Sequence, residues 1–355
     1  MDGTCKLYLY IHFFITNSDI FIGNIIWKVK LIRCTKTHEI FSRKFNEKAD
    51  IYSFGIILWQ MITREEPFGH HDNIKVFRHA VVKQQERPVI PVTCPDKIAT
   101  LMTNCWSADP DERPDVKSII LSLDEILVDT VVTNNSANAF WKQNFLYPRQ
   151  ELLEQLSWND FIVNLQKTLQ PQTHVPNFQR DTFRKLKELL AEQSIDESKF
   201  IVTMQKFNNI ATSFGNFYTP CDEAWRVLEE IRLLIQKDWF HGEIDRGLYF
   251  FFLLTSNLLI NLLELAEKRL QNRSEGSFLV RLSFTTPEYP FTISLPKGHH
   301  RRVHHLPGGD YSTKGSRAKY NSLIQLIENC KDEELGSLLR HPCPKNIVQA
   351  DWGYR

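Results

Sequence analysis

The chain has no C-x-x-C pair, and its seven cysteines are an odd number. Neither a disulfide framework nor a zinc ribbon is built that way, so the thiols are expected to be reduced, as in the cytoplasm. It also lacks any excess of charge. Lys plus Arg (43) nearly equals Asp plus Glu (42), for a formal net charge of +1. No global field then draws the chain to nucleic acid or to an anionic membrane. No internal repeat or low-complexity tract is present. Long apolar runs are scarce, and the two that occur are poor membrane spans. Residues 7–27 follow Met1-Asp2-Gly3-Thr4-Cys5-Lys6, which lacks the positive region of a signal peptide, and they contain Asn17, Asp19 and Asn24. Residues 247–263 only just reach the roughly 17 residues that a minimal span requires. At 355 residues, the chain is long enough for two or three domains with separate cores.

What is present begins with Gly276-Ser277-Phe278-Leu279-Val280-Arg281-Leu282-Ser283, a strand pattern with an arginine inside it. Arginine is almost never buried unpaired, because desolvating its charge costs several kcal/mol. Its planar fork grips a phosphate through two parallel hydrogen bonds. A core carboxylate would satisfy the arginine equally well, so the flanks must decide. Upstream stand Asp238-Trp239-Phe240-His241-Gly242 and Ala266-Glu267-Lys268-Arg269-Leu270. Downstream stand Pro290-Phe291-Thr292-Ile293-Ser294, Val303-His304-His305 and Tyr320-Asn321-Ser322-Leu323-Ile324-Gln325-Leu326-Ile327.

In kind and order this series resembles an SH2 domain, the phosphotyrosine-reading module, over residues 238–344. The resemblance implies a central antiparallel sheet flanked by two helices. It makes Arg281 the bidentate phosphate ligand, with Ser283 and Thr285 donating to the remaining oxygens. It sets His305 beside the phosphotyrosine ring and Arg246 stacked upon it. Pro307 stands where many members keep a lysine, which removes one side of the clamp.

Residues 45–61 form a helix pattern apolar on nearly all sides, hence buried, with Asp50 near its positively polarised start and Pro67-Phe68 as its stop. Later come Cys105-Trp106, Asp109-Pro110 and Arg113-Pro114. By itself this is a small helical domain with a buried Asp and Arg. Together with Ser53-Phe54-Gly55 and Leu58-Trp59, it resembles the C-terminal lobe of a tyrosine-kinase-like protein kinase over residues 39–128. By that resemblance Asp50 braces the catalytic loop, Trp59 is scaffold, and Arg113 pairs with a glutamate whose only candidate is Glu39. Phosphoryl transfer needs a Gly-rich loop, a phosphate-binding lysine, a catalytic-loop Asp and Asn, and a metal-binding Asp. In kinases these precede the helix at Asp50, and none is found among the 49 residues before it. The chain as written is therefore expected neither to transfer phosphate nor to hold ATP and magnesium, which the full-length family uses. No catalytic residue, cofactor or metal ligand is assigned within it.

Residues 129–237 show helical periodicity, with Ser157 as an N-cap before Trp158. They resemble the EF-hand-like unit that precedes the SH2 domain in Cbl-type proteins. Ser194-Ile195-Asp196-Glu197-Ser198 lacks the ligand array of a calcium loop, so a metal-free scaffold is expected. Residues 345–355 are a tail.

The order kinase lobe, connector, SH2 domain resembles the SH2-bearing dual-specificity kinases of the Shk family. That implies phosphotyrosine-containing protein partners, no nucleic acid, and a cytoplasmic location with membrane contact only by recruitment. Two readings remain open: an incomplete form of an active Ser/Thr/Tyr kinase, or a kinase-dead adaptor. One departure bears on both. Arg246 and Ala266 stand 20 positions apart where the family keeps them within a few residues. Deleting 247–263 restores the ordinary order, so these residues, like 1–38, have the character of a translated intron. The alternative is a genuine surface insertion, which exposes aromatics to water.

Overall fold

The structure is a computed structural model that describes residues 47–71, 73–153, 155–169, 176–193, 199–243, 265–284, 288–306, 308–330 and 333–345. These residues divide into two compact units, one of 47–131 with 141–153, the other of 132–140 with 155–345.

In the first unit, α1 (Glu47–Thr63) carries Glu47 and Asp50 in its first turn, where carboxylates meet unsatisfied N–H groups. It buries Ala49, Ile51, Tyr52, Gly55, Ile56, Leu58 and Trp59, as an apolar helix must. The helix stops before Pro67, because Arg64 adopts the left-handed conformation at φ 59°. α2 (Ile74–Lys83) starts at Asn73, whose side chain accepts the Lys75 N–H at 2.8 Å. α3 (Asp96–Cys105) lies against α1 at Gly55. A Cβ there would stand 2.9 Å from the Cys105 Cβ and 3.3 Å from the Met102 carbonyl oxygen, so only glycine permits the crossing. A 3-10 turn (Pro110–Glu112) leads to α4 (Val116–Val131), which runs through the boundary expected at 128. α5 (Asn135–Trp141) continues into a π-turn (Lys142–Leu146). Residues 141–153 return to α4, where Lys142 bonds Asp129 and the Leu152 N–H donates to the buried Asp124 at 3.0 Å.

The second unit joins the connector to the Arg281 region. β1 (Gln155–Ser157) leads into α6 (Trp158–Leu169), and α7 (Pro176–Leu190) is followed by β2 (Glu192–Gln193), β3 (Phe200–Thr203) and α8 (Met204–Phe214). Ser157 is the N-cap expected from sequence, its hydroxyl accepting the Asp160 N–H at 3.1 Å. β1 and β3 pair antiparallel with Leu156 opposite Val202, and β2 adds on the other side of β3. Phe207, fully buried, meets the rings of Phe140, Phe161, Phe217 and Tyr218 at centroid distances of 5.4–5.9 Å. α9 (Asp222–Ile235) closes the connector.

Beyond it come α10 (Leu265–Leu270), β4 (Ser277–Leu282), β5 (Phe291–Leu295), β6 (His299–His305) and β7 (Tyr311–Thr313). α11 (Leu323–Glu328), α12 (Glu333–Leu338) and β8 (His341–Pro342) are the last elements among the described residues. The sheet runs β7-β6-β5-β4-β8, antiparallel except for the β4–β8 pair. Leu279 packs with Ala266 and Leu270 of α10 and with Cys343 on one face. On the opposite face Phe291 meets Phe214 of α8 edge-on at 5.2 Å, so the connector forms the floor of this sheet. The fold is α+β, as the sequence predicts.

Candidate phosphate-binding face

Strand register decides which side chains share a face, because successive residues point to opposite sides. Arg281 is opposite Thr292 of β5, which is opposite Arg302 of β6. These three therefore share a face with Leu279, Ser294, His300 and His304. Leu279 is the residue under α10, so this is the α10 face. β4 is fixed from both sides. On one edge it pairs with β5, and on the other the Val280 and Leu282 N–H groups donate to the carbonyls of Trp239 at 2.7 Å and Gly242 at 2.8 Å. An arginine on a strand clamped in this way is held in place before a ligand arrives.

The surroundings are cationic. The Arg302 guanidinium and the Lys314 ammonium lie over the Tyr289 ring at 5.8 and 5.7 Å, and His304 packs on the same ring at 4.1 Å. His304 Nε2 is buried without a hydrogen-bond partner among the described residues. His300 Nδ1 lies 3.1 Å from the Ser294 hydroxyl, and its Nε2 is 3.4 Å from the Glu267 carboxylate of α10. Two arginines, a lysine and histidines gathered on one face suit a dianionic ligand.

Ser283 continues the same alternation, and its N–H closes the β4–β5 ladder to the Pro290 carbonyl at 2.8 Å. His305 is a correction. Its ring stacks on Tyr311 at 4.7 Å and 9°, on the side of Phe291, with its Cε1 3.7 Å from the position a Cβ on Gly215 would take. It belongs to the seam between sheet and connector, where burial lowers its pKa and Arg226 adds to the effect. There the Glu230 carboxylate accepts the Leu323 N–H at 3.2 Å, and burial pushes its pKa up. The sequence reading missed His304 and Arg302, which occupy the face from which His305 is excluded. Thr285, Arg246, Glu39, residues 1–38 and 247–263, Pro307 and most of the tail lie outside the described residues.

In the first unit, Asp50 is exposed rather than buried. Arg113 is buried, donating from Nε to the Ser107 carbonyl at 2.9 Å and from Nη1 to the Lys48 carbonyl at 2.8 Å, and it lies over Tyr52 at 5.2 Å. Trp59 donates its indole N–H to the Val89 carbonyl at 2.8 Å. Both act as internal ties in this unit.

A family model described as SH2 domain matches residues 239–329, and one described as protein tyrosine and serine/threonine kinase matches residues 32–123. The chain carries a protein-kinase segment followed by an SH2 domain. Three curated relatives share that span, all dual specificity protein kinases of Dictyostelium discoideum. ShkD is 37% identical over 308 residues, 85% of this chain and 38% of its own length. ShkE is 33% identical over 88% of this chain and 42% of its own length, and shkA 33% over 80% and 52%. The chain thus spans about half the length of these relatives or less. It is a relative of the Shk kinases, as the order of its motifs implies.

ATP and magnesium are what protein kinases use in general. The described residues of the kinase segment contain no Gly-rich loop and no Asp-Phe-Gly sequence. No helix among the described residues is long and apolar enough to cross a membrane.

The SH2 domain also carries a pH dependence. Burial pulls the His241 pKa down from 6.5 to about 4, and Arg269 and Lys345 reinforce the effect against the Cys343 carbonyl, 2.7 Å from Nε2. His305 is lowered as well. Below the unfolded value the unfolded chain binds protons that the folded one refuses. Stability is thus complete above about pH 6.5 and falls toward pH 4, by up to about 3 kcal/mol for His241. Urea midpoints for the second unit are expected to drop between pH 7 and pH 5. In His241→Gln this drop is expected to be smaller.

Proposed function

We propose that the SH2 domain of this chain binds phosphotyrosine-containing proteins through the α10 face, with Arg281 as the bidentate phosphate ligand. Arg302 and His304 flank the ring, and Ser283 and Thr285 are donors to the remaining oxygens. The observation that carries this reading is the register Arg281–Thr292–Arg302, which puts two arginines on one face. A phosphate dianion bonded by a planar fork gains both charge and geometry that an unphosphorylated tyrosine cannot offer. The kinase segment and the likeness to shkD support a role in a cytoplasmic Ser/Thr/Tyr kinase, brought to its partners by this domain. The test is fluorescence polarisation with a tyrosine peptide library in phosphorylated and unphosphorylated form. Binding confined to the phosphorylated form is the expected result. Equal binding of both forms removes the proposal.

A further inference from the structure

We infer that His70, His71 and Glu86, in the kinase segment, form a zinc-binding site distinct from the phosphate-binding face. The three side chains bring one ligand atom each to within 4.8 Å of the others. His70 Nε2 lies 2.9 Å from Glu86 Oε1, and His71 Nε2 lies 3.1 Å from both carboxylate oxygens. Ligands of a tetrahedral zinc at 2.0–2.1 Å are about 3.3 Å apart, so each His–Glu separation needs only a few tenths of an ångström of change, and the three ligand atoms already lie within 4.8 Å of one another. Two imidazoles with one carboxylate is a donor set that suits zinc, and a fourth position is left for water.

The geometry is supported from both sides. The turn after α1 is held by Gly69 N–H to the Glu66 carbonyl at 3.2 Å and His71 N–H to the Phe68 carbonyl at 3.1 Å. Phe68 takes φ 56° to close it. The His71 ring, largely buried, meets Phe77 of α2 edge-on. Across from it, the Glu86 N–H bonds the Ala80 carbonyl at 3.0 Å, and neighbouring Arg87 is tied to the Trp106 carbonyl at 2.9 Å. The His70 side chain is 66% exposed, so the ion can arrive from solvent and the open coordination position faces water. Bound zinc would clamp the turn after α1 to the segment after α2, replacing hydrogen bonds with metal–ligand bonds.

The test uses the full chain, freed of metal by chelator and titrated calorimetrically with zinc sulfate, beside His70→Ala and Glu86→Gln. The exposed His70 can be removed without disturbing the core, so its variant keeps the reading independent of folding. One zinc per chain is expected. Each variant should weaken binding by at least the 10- to 100-fold that even outer-sphere changes cost. X-ray absorption at the zinc edge should show nitrogen and oxygen near 2.0 Å. Unchanged affinity in both variants, sulfur ligands near 2.3 Å, or no zinc bound by the unaltered chain would each overturn the inference.

Discussion

Replacing Arg281 with alanine abolishes phosphotyrosine-peptide binding by this chain. Truncating one partner of a desolvated, hydrogen-bonded charge pair costs about 2–5 kcal/mol, which corresponds to a loss of roughly 30- to several-thousand-fold in affinity. The loss comes without unfolding, because β4 is held by backbone bonds to β5 and to Trp239 and Gly242 that do not involve this side chain. Arg281→Lys recovers little, since an ammonium cannot reproduce the two-pronged contact. Two neighbouring histidines then separate the faces. His304→Ala weakens binding while leaving the urea midpoint nearly unchanged. His305→Ala does the reverse, removing a ring that stacks on Tyr311. Equal affinity of Arg281→Ala and the unaltered chain by fluorescence polarisation would exclude the assigned pocket.

The second large effect is on stability. Phe207→Ala is expected to destabilise the second unit by about 3–5 kcal/mol, the usual cost of deleting a fully buried phenylalanine. Phe207 is fully buried among four aromatic rings, and these sit on three different stretches of the connector. The cavity cannot collapse without moving α5, α6 and the Phe217-Tyr218 turn together. Because α8 also carries Phe214 against Phe291, the loss propagates to the floor of the SH2 sheet. Denaturant unfolding followed by tryptophan fluorescence checks this, and a shift below about 1 kcal/mol would contradict such packing.

The sequence shows most where local chemistry is at odds with its setting. Arg281 in an apolar strand and the all-round apolar α1 are features that few folds tolerate. The Ser157 cap is legible for a simpler reason, since its partner Asp160 is three residues away. His304 and His305 were not separable. They differ only in parity, and a one-residue slip exchanges the faces of a strand. That register is set by the β5–β6 turn at Pro296–Gly298, where Lys297 adopts φ 63°, a conformation its residue type does not announce. The return of residues 141–153 to α4 depends on contacts such as Leu152 to Asp124 across 28 positions. Nor does periodicity reveal that His70 and His71 meet Glu86 some 15 residues later.

The most direct test of the α10 face is to titrate isotopically labelled chain with a phosphotyrosine peptide and follow the arginine Nε–H and histidine resonances. The account predicts a large shift at Arg281, smaller ones at Arg302 and His304, and an unmoved His305. Shifts centred on His305 and Tyr311, with Arg281 unaffected, would place the ligand on the opposite face and contradict it.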